Sequence, residues 1–290
     1  MKYAVIQANT GWFSVQMMCD TLDVSRAGYY AWRNRKDSRR VIVDREVLAA
    51  IKAIHKESRG TYGSPRILVG LQNGGHKCGR KRVARLMRAN GVVGKKRLQF
   101  RASTTDSKHE YAVSPNLLNR AFDPSAYALN QAWAGDITGV PTAEGILYLA
   151  IVLDLRSREV VGWSMLGTRD TSIVLDALRM AIGQRRPSRG LVFHSDRGSQ
   201  YASGPFREFL KAHGVLQSMS RKGNCWDNAP VESFFATMKV EIDNLGRSRT
   251  RAAARAAIFE YLGVFYNRQR LHTAIGNKVP ASIGRDLQAA

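Results

Sequence analysis

The sequence predicts an α/β protein in which a mixed five-stranded sheet is flanked by helices and preceded by small all-α helix-turn-helix units. Up to about residue 92, apolar residues recur at the spacing of amphipathic helices. From about residue 130, apolar and β-branched runs of strand length alternate with helical patterns. The predicted parts are an N-terminal helical segment (1–40), a basic three-helix unit (41–92), a basic linker without apolar period (93–128) and an α/β core with C-terminal helices (129–290).

Residues 14–36 predict two short helices joined by a turn. An apolar stripe of helical spacing precedes Asp23–Ser25, which supplies the turn and, through Ser25, a cap for a second helix over Arg26–Arg33. Many small helical hairpins share this pattern. A DNA-reading helix-turn-helix and a purely structural hairpin therefore both remain open for this segment.

Residues 44–92 predict three helices. The first carries an apolar face that includes Val47 and Ile51. Ser64 is the predicted N-cap of the second helix, with Pro65 at its first helical position. The third helix is predicted from Arg80 to Asn90, before Gly91.

The third helix presents a basic stripe. Lys81, Arg85 and Arg88 lie at i, i+4 and i+7, and no acidic residue occurs between Arg80 and Arg101. A stripe of this kind fits a DNA groove or backbone, whereas an ordinary solvated helix face usually mixes both signs of charge. The linker adds Lys95, Lys96 and Arg97, which we expect to follow phosphates between the two halves of the protein.

The second half predicts three strands, a helix, a strand, a helix, a strand and two further helices. This order is typical of a mixed sheet with helices on its faces, where side chains at strand ends can converge. The predicted elements are the strands Gln131–Ile137, Leu147–Leu155, Glu159–Leu166, Leu191–His194 and Val215–Ser218, and the helices Thr171–Gln184, Ser203–Ala212, Val231–Leu245 and Arg251–Tyr266.

Composition indicates a polyanionic partner. The 290 residues include 45 Lys and Arg against 23 Asp and Glu, a net charge of +22, and most of the excess lies in the first 125 residues. Double-stranded DNA is the expected partner, with a merely solvated basic surface as the alternative. Three scattered cysteines argue against a disulfide framework, and no apolar stretch is long enough for a membrane helix. We therefore expect a soluble cytoplasmic protein.

Three acidic residues are the candidate catalytic and metal-binding residues. Asp136 and Asp196 follow apolar strand-like runs, and Glu232 begins a predicted helix, with 35 residues between it and Asp196. Each alone could be a turn residue or a favourable charge at a helix start. Together they predict a site for a hard divalent ion, because converging carboxylates repel one another without a cation. Such sites suit in-line displacement at a phosphodiester.

Further charged residues lie near the same elements. Lys239 is two helical turns after Glu232 and thus on the same face, where it could meet a phosphate backbone. Arg270, in the aromatic and basic segment 265–272, could contact DNA or tie the last helix to the core. Asp154 and Asp227 are predicted to be structural, in a hairpin turn and in the loop before Glu232.

These motifs resemble the DDE transposases with a retroviral-integrase-like core, and more narrowly the second-frame (OrfB) proteins of the insertion-sequence-three group. The resemblance covers nearly the whole chain. It rests on Val24-Ser25-Arg26-Ala27-Gly28-Tyr29-Tyr30-Ala31-Trp32, Thr61-Tyr62-Gly63-Ser64-Pro65-Arg66, Arg82-Val83-Ala84-Arg85-Leu86-Met87, Trp133-Ala134-Gly135-Asp136-Ile137-Thr138, His194-Ser195-Asp196-Arg197-Gly198-Ser199-Gln200-Tyr201, Trp226-Asp227-Asn228-Ala229-Pro230-Val231-Glu232-Ser233-Phe234-Phe235 and Tyr266-Asn267-Arg268-Gln269-Arg270-Leu271-His272. The sequence departs from the family pattern at Gly139 and at Thr273-Ala274-Ile275-Gly276.

The resemblance implies a ribonuclease-H-like core in which Asp136, Asp196 and Glu232 hold two Mg²⁺ ions, with Mn²⁺ able to substitute. It implies cleavage at the ends of a mobile DNA element and joining of the freed 3′-OH to another strand. It further implies a homo-oligomer on DNA and an upstream-frame (OrfA-type) partner or fusion. Two alternatives are a transposase-derived DNA-binding regulator without catalysis and a nuclease without strand transfer.

Overall fold

The computed structural model describes residues 1–95, 111–221, 225–242, 245 and 250–288. Its first unit consists of three short helices packed around a small core that includes Ile6, Cys19 and Tyr29. The Ser25 hydroxyl accepts a hydrogen bond from the Gly28 backbone and caps the third helix, as predicted. The helices are α1 (Lys2–Ala8), α2 (Val15–Thr21) and α3 (Arg26–Arg33), of which α1 lies outside the predicted elements.

The second unit is the predicted group of three helices, with Val47, Ile51 and Val83 in its core. The helices are α4 (Arg39–Glu57), α5 (Ser64–Asn73) and α6 (Arg80–Ala89). The predicted Ser64 cap is wrong. Ser64 is itself the first residue of α5, Gly63 is the N-cap, and no side chain caps this helix. Because the Gly63 backbone is extended and the helix begins directly after it, α5 starts one residue earlier than Ser64 and Pro65 predict.

The second described part of the predicted linker, residues 111–128, contacts the edge strand of the sheet. It contains one 3₁₀ turn, Pro124–Ala126, and no other helix or strand. The Leu117 backbone N–H donates to Ser218 Oγ at 2.9 Å, and Ser114 Oγ donates to Gln217 Oε1 at 2.8 Å. This segment is therefore fastened to the last strand, whereas Lys96 and Arg97 lie outside the described residues.

The second half forms the predicted mixed five-stranded sheet, in the order β3-β2-β1-β4-β5. β1, β2 and β3 are antiparallel neighbours, and β4 runs parallel to β1 and β5. The strands are β1 (Ala132–Thr142), β2 (Gly145–Asp154), β3 (Val160–Leu166), β4 (Val192–Ser195) and β5 (Leu216–Met219).

β1 is longer than predicted, so the prediction that Asp136 lies near the end of its strand is wrong. Gly139 and Pro141 are ordinary strand breakers, yet pairing with β2 continues to Thr142 opposite Gly145. On the other side of β1, pairing with β4 stops at Ala134. Beyond that point β1 is a sheet edge, where a proline costs no ladder hydrogen bond.

Helices cover both faces of this sheet. One face packs against α7 (Thr171–Arg185), α8 (Ser199–Ala202) and α9 (Gly204–Ala212), and the other against α10 (Ala229–Glu241) and α11 (Arg251–Glu260). α11 continues as a π-helical turn over Tyr261–Tyr266, and α12 (Pro280–Gln288) follows. Across the described part of the chain, no helix combines the length and apolar character needed to span a membrane.

Two buried polar contacts hold these elements. The Asp154 carboxylate accepts hydrogen bonds from Asn130 N, Trp133 Nε1 and Ser157 N, which confirms its structural role in the hairpin turn. The segment after α11 meets the second unit, where Leu271 N donates to Tyr62 Oη at 2.7 Å. The helical unit is thereby joined to the core.

Candidate active site

The register of two parallel strands brings the first two candidate acids together. Ala134 of β1 pairs with His194 of β4 at the end of their ladder. Asp136 lies two residues beyond Ala134, and Asp196 lies two residues beyond His194. The two acids therefore follow the last paired residues at matching positions. Paired strands lie about 4.8 Å apart, so this register brings both acids to the same end of the β1–β4 ladder.

Glu232 comes from α10, in the first turn of that helix. Val231 beside it is fully buried in the core, and α10 packs against β1. Asn228, the N-cap residue of α10, donates from Nδ2 to the Gly135 backbone oxygen at 3.3 Å. Since Gly135 precedes Asp136, this contact fixes the start of the Glu232 helix against the Asp136 strand.

The three carboxylates influence one another electrostatically. Burial raises the pKa of Asp136 well above its ordinary value, and the neighbouring charges of Asp196 and then Glu232 raise it further. Partial burial also raises the pKa of Glu232, and the charge of Asp196 raises it further. Both aspartates accept one backbone hydrogen bond, Asp136 Oδ1 from Ile137 N at 2.8 Å and Asp196 Oδ1 from Gly198 N at 2.9 Å.

The donor set fits a hard divalent cation. Among the described residues, no three or more His, Cys, Asp or Glu side chains are already gathered in the geometry of a metal site. The chemistry of the set is nonetheless that of Mg²⁺ and Mn²⁺ ligands, since it consists of carboxylate oxygens alone. A bound cation would also relieve the mutual repulsion that raises the pKa of Asp136.

Lys239 lies near the same carboxylates. It is on α10, two turns beyond Glu232, and its side chain is exposed. Partial desolvation lowers the pKa of its ammonium group, while the charge of Asp136 acts in the opposite direction. The predicted sharing of one helix face by Glu232 and Lys239 thus places a cation beside the acids.

Sequence reasoning assigned no role to His194. The structure places this side chain in the interior, between β4 and the end of β5, two residues before Asp196. The ring is fully buried between Ser218 Oγ, 2.8 Å from Nδ1, and Ser220 Oγ, 3.3 Å from Nε2. Burial lowers the pKa of the imidazole, so the ring is neutral near pH 7. The available signal was a polar residue inside an otherwise apolar strand, two positions before Asp196.

Asp227 confirms its predicted structural role in the loop before Glu232. Its fully buried carboxylate accepts hydrogen bonds from Arg221, Arg120 and Asn116 at 2.7–3.1 Å. The hydrogen bond from the Arg221 side chain is the largest of several causes that hold the pKa of Asp227 far below its ordinary value. The linker segment, the end of β5 and the start of α10 therefore meet at one carboxylate.

The predicted basic stripe lies on the exposed face of α6. Lys81, Arg85 and Arg88 are all exposed. α6 contains no acidic residue, but Asp44 of the neighbouring helix α4 pairs with two of its arginines. The Asp44 carboxylate accepts hydrogen bonds from Arg82 Nε and Arg85 Nη2, both at 2.6 Å. The first two residues of α4, which the sequence did not predict as DNA contacts, complete a basic groove lined by Arg39, Arg40, Val43, Lys81, Arg82 and Arg85.

The prediction of a DNA contact at Arg270 is wrong. Arg270 is only 4% exposed, and its guanidinium binds both carboxylate oxygens of Glu241, at 2.7 and 2.8 Å. Tyr261 Oη donates to the same carboxylate at 2.8 Å. Of the two roles left open for this segment, the structure selects the one that ties the C-terminal segment to the core.

Family models match most of the described architecture. The model described as "Integrase core domain" matches residues 126–225, and a second model of the same description matches residues 213–280. The model described as "HTH-like domain" matches residues 43–100, which contain the basic helix α6.

Two relatives match nearly end to end. An "Insertion element IS600 uncharacterized 31 kDa protein" from Shigella sonnei is 43% identical, with 91% of this chain and 96% of that protein covered. "Transposase InsF for insertion sequence IS3A" from Escherichia coli (strain K12) is 39% identical, with 97% of both chains covered. Among solved structures, the HTLV-2 integrase catalytic core domain in complex with magnesium is 19% identical, with a TM-score of 0.40 over 53% of this chain and 96% of that one.

Proposed function

Because this chain belongs to the IS3 family of insertion-sequence transposases, we propose that it cuts phosphodiester bonds at the ends of a mobile DNA element and joins the freed 3′-OH to another DNA strand. Asp136, Asp196 and Glu232 are the catalytic residues in this proposal. The observation that supports it is that Asp136 lies in β1, Asp196 directly after β4 and Glu232 in the first turn of α10, with the charges of Asp196 and Glu232 raising the pKa of Asp136.

The three carboxylates would hold two Mg²⁺ ions, which supply activation of the attacking oxygen and stabilisation of the leaving oxygen. Asp136 lies within β1, and Asp196 directly follows β4, which pairs with β1 up to Ala134 and His194. Glu232 comes from a helix that Asn228 anchors to Gly135. A DNA-binding regulator without catalysis has no use for such a set, which disfavours that alternative.

The remaining charged residues have DNA-positioning roles. Lys239 beside the acids would receive the phosphate next to the cut. Lys81, Arg85 and Arg88, together with Arg39 and Arg40 of the same basic groove, would hold the double-stranded end of the element. Lys95, followed in sequence by Lys96 and Arg97, would guide the backbone between the two units. Since an element has two ends and each needs an active site, a homo-oligomer would assemble on the DNA. It would act alone or with an upstream-frame partner. The place of action would be the bacterial cytoplasm, at the nucleoid.

The metal requirement tests this proposal. Purified protein is incubated with a labelled duplex carrying the element's own end and a target plasmid. Cleavage and joining should be lost in EDTA and should return with Mg²⁺ or Mn²⁺, because the ligands are all oxygens. Activity that persists in EDTA, or that only Zn²⁺ restores, would overturn the assignment of the site.

A further inference from the structure

An exposed tryptophan stands beside the candidate active site. Trp226 is 67% exposed, although the two residues after it, Asp227 and Asn228, are 0% and 3% exposed. All three belong to one 3₁₀ turn, Cys225–Asn228, directly before α10. A large aromatic side chain that is exposed next to a candidate active site is a candidate contact for substrate.

The turn that carries Trp226 is held on both sides. The Asp227 carboxylate binds Arg120 Nε at 2.7 Å and Arg221 Nη2 at 2.8 Å, and it also accepts a hydrogen bond from the Arg221 backbone N–H at 3.0 Å. Asn228 reaches the Gly135 backbone oxygen. These contacts fix the backbone of the turn, so the indole projects from a rigid support.

The support also places the indole close to the acids. Asn228 contacts the residue before Asp136, and Trp226 lies two residues from Asn228, which is at most about 7 Å along the chain. Glu232 follows in the first turn of the next helix. Any DNA strand whose phosphate reaches the three carboxylates therefore passes beside this turn.

The charge around the indole favours nucleic acid. Arg120 and Arg221 keep 43% and 53% of their side chains exposed while they bind one fully buried carboxylate. The cluster of two guanidinium groups and one carboxylate has a net positive charge. An exposed aromatic ring whose neighbouring residue holds two exposed cations fits surfaces that stack bases and hold the backbone of single-stranded nucleic acid.

We propose that Trp226 stacks on a nucleobase next to the phosphodiester that is cut, and so holds the end of the strand open over the carboxylates. This inference rests on the proposed strand cleavage and adds the substrate part that the indole recognises. A base must leave its stack in the duplex to make this contact, and stacking on an aromatic side chain compensates part of that cost.

The test uses the full-length protein and element-end duplexes in which single bases around the cut are replaced in turn by 2-aminopurine. Binding is followed in EDTA, so that the fluorescence does not depend on catalysis. We expect one position whose fluorescence changes with wild-type protein and with Trp226→Phe but not with Trp226→Ala. Trp12→Ala is the matched control, because Trp12 is 84% exposed in the N-terminal unit.

The same variants are then compared in cleavage with Mg²⁺. Trp226→Ala should cleave roughly 5- to 100-fold more slowly than wild type, the range expected when one base stack is removed, and Trp226→Phe should recover most of the rate. If wild-type protein cleaves while Trp226→Ala matches it in fluorescence and rate, this inference is wrong and the proposed function stands. If wild-type protein does not cleave, the proposed function fails first. A change of oligomeric mass in Trp226→Ala would assign the indole to a protein contact and also overturn the inference.

Discussion

At the scale of single residues, the candidate site is where the protein accepts unfavourable charge. Asp136 is in the interior of a strand, and its pKa is raised by burial and then by the charge of Asp196. A carboxylate placed this way destabilises the fold when it ionises, and the cost persists only because function requires it. The sequence alone shows the acid but not this environment, which arises from β4 and α10.

We predict that Asp136→Asn stabilises the protein in the absence of divalent ions. A raised pKa in the folded state means that stability is full below the ordinary aspartate pKa and falls as the pH rises through the higher folded value. The asparagine removes that loss, so the thermal midpoint in EDTA should exceed that of wild type at pH 7 and approach it at pH 3–4. Each kcal/mol gained should raise the midpoint by roughly 2–4 °C.

The exposed Glu208→Gln variant is the control and should leave the midpoint nearly unchanged at both pH values. Mg²⁺ should raise the midpoint of wild type, because it binds only the folded site, but not that of Asp136→Asn. A variant that is less stable than wild type at pH 7 in EDTA would contradict the charge environment described for Asp136.

At the scale of elements, most helices and strands follow from the sequence, but their pairings do not. The five strands and the longer helices α7 and α9 between them are predicted because apolar period, turn residues and caps coincide, whereas the short helix α8 is not predicted. β1 is predicted too short because Gly139 and Pro141 indicate a break, which the pairing with β2 overrides. The sequence leaves the role of Arg270 open because its partner Glu241 lies 29 residues away, at the end of α10. Local patterns do not show which charges a fold will bury.

Helix α6 gives a prediction about DNA affinity. Replacing Lys81 and Arg88 together by Ala should flatten the slope of log affinity against log salt by about 0.9 for each phosphate that is no longer bound. Asp44→Asn should act in the opposite direction, because it releases the guanidinium groups of Arg82 and Arg85 from their ion pairs. Salt titrations with an element-end duplex measure both effects.

The Glu46→Gln variant, on the exposed side of α4, controls for a simple change of net charge. Circular dichroism confirms that helicity is retained. An unchanged slope in the Lys81 and Arg88 double variant with intact helicity would show that this face meets water or protein, and DNA reading would then pass to residues 14–36 or to the linker.

The Arg270–Glu241 pair gives a prediction about stability. Both side chains are 5% exposed, so removal of one partner leaves the other charge buried. Arg270→Met or Glu241→Gln alone should lower the free energy of unfolding by about 3–5 kcal/mol, and the double variant should cost less than the sum. Chemical denaturation measures this. A loss of less than about 1 kcal/mol, or a changed salt slope for DNA binding, would restore a surface role for Arg270.

At the scale of the whole molecule, a basic helical unit is joined to an acidic site. The contacts between them are specific, since Arg59 binds both carboxylate oxygens of Glu260 at 2.5 and 2.6 Å and Tyr62 accepts from the Leu271 backbone. In the proposed function, a DNA end held by the helical unit would therefore be presented to the core that carries the three carboxylates. The central claim is that these carboxylates act as one unit.

The most direct measurement of that claim compares joining rates of wild type, Asp136→Asn, Asp196→Asn, Glu232→Gln and the triple variant, with binding to the element-end duplex as the control. Every single variant should bind DNA like wild type yet lose joining by at least about a thousandfold. The triple variant should be no slower than the single variants, because residues that hold the same ions fail together. Near-normal joining by Glu232→Gln with Mg²⁺, or losses that multiply in the triple variant, would contradict the account.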